Sequence, residues 1–252
     1  MVCIGNYDGL HRGHQQNIAN ALKLKKELGV KCLLVTFDPH PSPLLSSRES
    51  LLFTPEQKRR SLKQAGIDIL VEQVFNQEFR SIDHKDFFDT ILLKQLKAKG
   101  LCVGKNFCFG AQRKGDINWI RSKIKAIDFK LKVAEAYYGD KEKISSTATR
   151  EAVGERGEVD MACHLLGYPY SLEGQVISGS ARGRQIGYPT LNLRPTPPKL
   201  LPLRGVYAGY VVCLDDHSCF DGLSILSPPN ELYQAVINIG HRPTLNHDKS
   251  RV

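Results

Sequence analysis

The sequence predicts an α/β chain in two parts, a doubly wound parallel sheet followed by a small antiparallel β-barrel. Two observations carry this. Up to about residue 166, short apolar runs alternate with amphipathic helical stretches four times over, as parallel strands joined by helical crossovers do. After Gly167 the helical periodicity stops, and short β-rich pieces follow, separated by glycine, proline and polar turns. The expected division is therefore residues 1–166 and 167–252.

The first strand is Val2-Cys3-Ile4. It runs into Gly5-Asn6-Tyr7-Asp8-Gly9-Leu10-His11-Arg12-Gly13-His14, and a helix reads over residues 15–28, with Ile18, Ala21, Leu22 and Leu28 on one face and Gly29 as its stop. A strand, a glycine-rich turn and a helix start form a seat for phosphate, because backbone N–H groups and the helix dipole point at one place. His11 and His14 bring two imidazoles there, and their N–H groups can hold a phosphate that gains charge during transfer. Taken alone, His-x-Gly-His fits a plain strand-to-helix connection equally well.

The apolar run 30–37 reads as a strand buried on both faces, ended by Asp38-Pro39-His40-Pro41. Asp38 and His40 then sit at a carboxyl end, where open α/β sheets bind ligands; a proline-rich exit loop is the competing reading. Thr54-Pro55-Glu56-Gln57 is a capping box opening a helix that ends near Gly66. Residues 67–75 form the next strand. Residues 83–99 read as a helix that buries Phe87, Phe88, Ile91, Leu92 and Leu96 and stops at Gly100, and residues 101–103 as a short strand.

Beyond it comes Gly104-Lys105-Asn106-Phe107-Cys108-Phe109-Gly110. Phe107 and Phe109 can line a ring pocket, Asn106 can hold a metal-bound water or a phosphate, and Arg113 can pair with an anion. An F-x-F loop more often packs a core, and packing is expected for at least one of the two rings. A short helix at 117–125 and a strand at 129–134 lead to Ser145-Ser146-Thr147 with Arg150 three residues on. These hydroxyls are caps by default and, with the arginine, a polyphosphate grip as the alternative. Residues 152–166 read as helix with a break near Gly154–Gly157; the barrel pieces are 170–178, 191–193, 206–214 and 235–239.

Composition bounds the function. The 252 residues are 41% hydrophobic and 24% charged, ordinary globular proportions. No apolar run approaches the ~20 residues of a membrane span, and glycines and an aspartate interrupt any signal-like start. Seven cysteines without a C-x-x-C pair argue against a disulfide frame or a zinc site and suit a reducing cytoplasm. A net charge of +9 suits anionic partners. Phosphorylated small molecules fit better than nucleic acid, because no RNA-binding signature with interleaved aromatics is present.

Five motifs in order carry a resemblance. The opening G-N-Y-D-G-L-H-R-G-H, then T-F-D-P-H-P, V-G-K-N-F-C-F-G and I-S-S-T-A-T-R, and finally residues 179–192, G-S-A-R-G-R-Q-I-G-Y-P-T-L-N, resemble the motifs of the bacterial bifunctional riboflavin kinase/FMN adenylyltransferase family, also called FAD synthetase. The resemblance covers nearly the whole chain. It implies a Rossmann-like nucleotidyltransferase domain that joins ATP to FMN, giving FAD and pyrophosphate, and a kinase barrel that phosphorylates riboflavin with ATP and Mg²⁺.

By resemblance, His11 and His14 contact the ATP phosphates with Arg150, and Gly5, Asp8 and Gly9 shape the nucleotide turn. Ser145, Ser146 and Thr147 hold phosphate, and Asn106 is tied to magnesium and phosphate; from their place at the strand ends, Asp38, His40, Asn106, Phe107 and Phe109 are the expected flavin contacts. In the barrel Gly183 and Arg184 belong to the nucleotide loop, and Thr190 and Asn192 hold magnesium and phosphate. Three departures stand out. Leu191 replaces the family's usual alanine and is expected to crowd the metal pair. Only four residues precede Gly5. The chain ends at Val252, before the family's catalytic glutamate, so the resemblance implies a complete adenylyltransferase beside an incomplete kinase. The competing functions are a nucleotidyltransferase with another phosphorylated acceptor, against which the barrel motif argues, and a non-enzymatic nucleotide- or RNA-binding regulator.

Overall fold

The computed structural model describes residues 1–38, 40–41, 51–135, 143–178, 187, 190–197, 199–212 and 232–240. Five strands form one all-parallel sheet: β1 (Val2–Ile4), β2 (Leu33–Asp38), β3 (Ile69–Val74), β4 (Gly100–Gly104) and β7 (Lys130–Ala134), in the order β3-β2-β1-β4-β7. The chain walks outward from β1 through β2 to β3, then returns to the other side of β1. That reversal makes a switch point at the carboxyl ends of β1 and β4, the natural ligand crevice of such a sheet.

Side chains alternate across the sheet, so an apolar strand feeds both faces. Val2, Ile4, Leu101 and Val103 pack with Phe87, Phe88, Leu92 and Ile120 on one side. Cys3, Leu34 and Cys102 pack with Tyr7, Ile18, Ala21 and Leu62 on the other. A third cluster gathers Ile144, Ala148, Val153, Ala162 and Leu165 beyond the sheet.

Several helix and strand limits differ from expectation, each for a local reason. Helix α1 (Arg12–Leu28) starts three residues earlier than read, so His14 lies in its first turn and His11 is its N-cap. The turn closes early because Tyr7, Gly9 and Leu10 all take positive φ, at 50°, 74° and 39°. β2 starts at Leu33 rather than 30, since Val30 N–H still bonds back to Lys25 O and closes the helix.

α2 (Pro55–Gln64) has the expected capping box, and a short helix the sequence did not announce, α3 (Gln77–Ser81), follows β3 under an Asn76 cap. The helix expected over 83–99 is α4 (His84–Asp86) running into a π-helical segment, Phe87–Gln95. Leu96 N–H reaches back five residues to Ile91 O and Ala98 N–H six to Leu92 O, which winds the helix wide and ends it early. Gly100 is therefore no helix stop. It opens β4, where a Cβ would lie 2.6 Å from Lys130 O.

A hairpin, β5 (Cys108–Phe109) with β6 (Gly115–Asp116), precedes α5 (Ile117–Lys123). α6 (Ser146–Arg150), a π-helical segment over Glu151–Arg156, and α7 (Val159–Leu166) complete this part, with the expected break at left-handed Gly157, φ 68°. Past Gly167 the pairing among the described residues is antiparallel: β8 (Gly174–Ile177) with β9 (Asn192–Pro195), and β10 (Gly205–Val211) with β11 (Tyr233–Ile239). The barrel expected from the sequence involves residues outside the described ones; the described strands form two separate two-stranded ladders. The antiparallel part is tied to the sheet domain through Leu200 N–H to Leu51 O, 2.8 Å, and Leu203 N–H to Val153 O, 2.9 Å.

Candidate active site

The turn after β1 is held from below. Tyr7 is buried, and its hydroxyl accepts from Asn17 Nδ2 at 2.9 Å. Asp8 is 4% exposed, and both its oxygens are taken. Leu52 N–H and Phe53 N–H donate to them at 3.1 and 3.0 Å, and the Arg150 guanidinium at 2.7 Å. Ser146 donates its hydroxyl to Asp8 O at 2.9 Å, and Tyr168 donates to Gly9 O. Two motifs separated by some 140 residues are thus pinned to one corner. Asp8 shapes that corner and faces Arg150 on one side; with both oxygens engaged it clamps the turn.

The His11 and His14 rings stack with centroids 3.7 Å apart and planes 19° from parallel. Burial holds the pKa of His14 well below the usual histidine range, and the neighbouring His11 and Arg150 push it the same way. Burial lowers His11 to about 4 despite the opposing charge of Asp8. Both rings are neutral at pH 7. His14 N–H donates to His11 O at 2.7 Å and lies 3.4 Å from His11 Nδ1, the cap contact. His14 Nδ1 is buried with no hydrogen-bond partner among the described residues. α1 carries no acidic residue in its first turn, so the dipole end there is open to an anion.

His40 belongs to the same neighbourhood. Burial lowers its pKa to about 4, Arg150 and Lys58 contribute in the same direction, and Asp8 opposes them. Lys58, on α2, was not singled out from sequence. Its Nζ reaches Thr36 Oγ1 at 3.4 Å, and Thr36 in turn donates to Asn6 O at 3.0 Å. Burial lowers the Lys58 pKa. No motif marks this lysine; only its place one turn beyond the Thr54 cap carries it toward the end of β2. Asp38 is the exposed last residue of β2, on the carboxyl rim of the sheet.

Past β4, Asn106 and Phe107 line a groove of about 420 Å³ with Lys105, Asn118, Arg121 and Glu135. His11, His14 and Ser146 do not line it; the two features share the sheet rim but not a wall. Of the two rings, Phe109 is the more deeply packed. It is 7% exposed and packs in the core against Phe87, 5.4 Å, and Trp119, 5.9 Å, with Phe107 stacked on its face at 5.5 Å. It therefore packs behind the groove, as expected of at least one of the two rings. Arg113, expected to meet an anion, is exposed on a turn at φ 58° and is not part of the groove wall.

The hydroxyl run divides. Ser145 caps α6 by accepting from Ala148 N–H at 3.1 Å, Ser146 spends its proton on the Asp8 carbonyl, and Thr147 is exposed. In the antiparallel part, Thr190 is exposed and Asn192 half-buried at the start of β9. Leu191 between them is 38% exposed. Gly183 and Arg184 lie outside the described residues. No group of three or more His, Cys, Asp or Glu among the described residues can hold a metal ion.

A family model described as FAD synthetase matches residues 1–148, and one described as riboflavin kinase matches residues 166–252. The chain is similar to the bifunctional riboflavin kinase/FMN adenylyltransferase of Buchnera aphidicola subsp. Schizaphis graminum, 34% identical over 96% of this chain and 74% of that protein. The protein of the same description from Pseudomonas fluorescens is 35% identical over 98% of this chain and 75% of its own. A crystal structure described as a macrolide-efflux protein from Streptococcus pneumoniae superposes with a TM-score of 0.81 at 28% identity, covering 99% of this chain and 77% of that one. No helix among the described residues is long and apolar enough to cross a membrane.

Proposed function

The chain belongs to the bifunctional riboflavin kinase/FMN adenylyltransferase family, and on that premise we propose that it makes FAD in two steps, on two separate regions. Residues 1–166 transfer AMP from ATP to FMN, releasing pyrophosphate. Residues 167–252 carry the riboflavin kinase, which transfers the γ-phosphoryl group of ATP to riboflavin. ATP, FMN and riboflavin are the substrates. A reducing, cytoplasmic setting suits the free thiols of Cys3, Cys32, Cys102, Cys108 and Cys163.

The observation that carries the first reaction is the neutral His11–His14 pair at the start of α1, with His14 Nδ1 buried and unpartnered. An FMN phosphate oxygen attacks the α-phosphorus of ATP, that bond forms as the bond to the bridging oxygen breaks, and pyrophosphate departs. No side chain need take or give a proton. The protein's task is to set two anions in line and to meet the charge that builds on the leaving group. The His11 ring N–H and the first-turn N–H groups of α1 donate to the triphosphate, and Arg150, held by Asp8, adds a fixed positive charge. Neutral rings suit this role, because their pKa values keep them from titrating near neutral pH.

Asp38, His40 and Lys58 on the rim beyond β2, and Asn106 and Phe107 at the groove beyond β4, are the residues we assign to the flavin phosphate and ring. The oxygen donors available for Mg²⁺ are Asn106 in the first region and Thr190 and Asn192 in the second. This hard-oxygen set fits that ion, which when bound would neutralise phosphate charge. The deciding experiment is FAD and pyrophosphate formation from FMN, ATP and Mg²⁺, with His14→Ala alongside. A loss of about 100-fold or more in kcat is expected for the variant, the scale of one lost transition-state donor. Wild-type protein that releases no FMN-dependent pyrophosphate would overturn the proposal.

A further inference from the structure

Lys199 comes from the segment that leads into β10, far in sequence from the nucleotide corner, yet it is 5% exposed and ends beside it. Its Nζ donates to Leu52 O and to Gln57 Oε1, the latter at 3.0 Å. The ammonium lies 4.3 Å from the centre of the Tyr170 ring and 5.7 Å from that of Phe53. It makes no ion pair among the described residues. Burying a cation on neutral partners is expensive, and an apolar side chain would fill the same space at less cost. Packing alone does not account for a lysine here.

Its neighbours supply a reason. Leu52, whose carbonyl Lys199 holds, donates its own N–H to Asp8, and Phe53 N–H takes the other Asp8 oxygen. Asp8 in turn fixes Arg150. Leu200 N–H to Leu51 O, 2.8 Å, lays the two segments side by side. We infer that Lys199 is a positioning residue for adenylyl transfer, setting the Leu52–Phe53 strap and through it the Asp8–Arg150 pair, so that the antiparallel part of the chain tunes the nucleotide corner of the sheet domain. Burial lowers the Lys199 pKa to about 8, and the charges of Asp8 and Glu173 oppose that shift, so the amine stays mostly protonated at pH 7. This rests on the adenylyltransferase reading above.

The test compares Lys199→Met, which keeps length and loses the charge and its donors, with Leu200→Ala, which loosens packing of the same segment. Each is measured for steady-state FAD formation, for ATP binding by calorimetry, and for urea stability. Lys199→Met is expected to raise the ATP KM and the ATP Kd about tenfold, the size of one lost interaction of about 1.4 kcal/mol, and to leave the FMN KM within about twofold. Leu200→Ala is expected to lower stability with ATP parameters within about twofold of wild type. If Lys199→Met does not fold, Lys199→Gln is read instead, with a rise of about threefold expected. A Lys199 variant that loses stability yet keeps wild-type ATP KM and Kd would overturn the inference. Failure of the wild type to form FAD would instead strike the parent reading, and the calorimetry would still decide the role of Lys199.

Discussion

His11 offers a quantitative test, because its cost is set by burial and can be removed by one substitution. The folded ring titrates at about 4, against 6.5 when unfolded. A folded-state value below the unfolded one means that the unfolded chain takes up the proton first as pH falls. The contribution to stability is therefore fully present above about 6.5 and is lost between there and about 4. At about 1.4 kcal/mol per pH unit of difference, His11 alone should cost the fold about 2 kcal/mol at pH 5 and about 3 at pH 4. His11→Asn removes the titrating ring and keeps an N-cap acceptor for His14 N–H. Urea unfolding followed by Trp119, the chain's one tryptophan, at pH 7.5, 6.5 and 5 gives the comparison. Wild type should lose about 2 kcal/mol more than the variant over that range. Other acid-titrating groups cancel in the difference, and any relaxation of His14 on losing its neighbour enlarges it. Equal losses, or a His11 ring signal titrating near 6.5, would refute the burial argument and with it the picture of two neutral imidazoles.

Asp8→Asn should be severe, since it takes a carboxylate at 2.7 Å away from Arg150 and sets an amide against backbone donors; a stability loss of about 3–5 kcal/mol and a large fall in kcat/KM for FAD formation are expected, and a thermal midpoint within a degree of wild type would contradict the clamp. Gly9→Ala places a Cβ 2.7 Å from Leu52 Cδ1 at φ 74°, so it should cost about 1–3 kcal/mol in urea and weaken ATP binding through the displaced strap. Lys58→Met should raise the FMN KM more than the ATP KM if that ammonium serves the acceptor phosphate; the reverse split in steady-state kinetics would move it to the nucleotide side. Phe109→Ala should unfold easily, at about 3–5 kcal/mol, whereas Phe107→Ala should mainly change flavin affinity, which fluorescence quenching of FMN reports directly.

The sheet was legible because its signals are local. Apolar runs such as Leu33–Asp38 lie between a glycine-stopped helix and a proline, and the Thr54–Gln57 box fixes the next helix start. The histidine corner was legible for the same reason, as a short contiguous motif. The places where reading failed are those decided by distant partners. Whether 83–99 runs as one helix depends on bonds that reach back five and six residues, and Gly100 serves the neighbouring strand, not the helix before it. Phe107 and Phe109 are indistinguishable by type, and only the Phe87–Trp119 wall decides which of them goes inside. Lys58 and Lys199 look like ordinary surface lysines in a chain with 35 basic residues. Their burial comes from the end of β2 and the Tyr170 ring, which no nearby residue announces.

The corner is built from residues 8, 52, 146, 150, 168 and 199, so it has no finished form until most of the polypeptide exists. On a ribosome adding about 5–20 residues per second, some 10–40 s separate the emergence of the two histidines from that of Lys199. Through that interval the nascent sheet carries its paired imidazoles without the braces that orient them. Nascent chains arrested short of residue 199 should accordingly hold ATP more weakly than chains released whole, and synthesis itself would delay the onset of nucleotide capture.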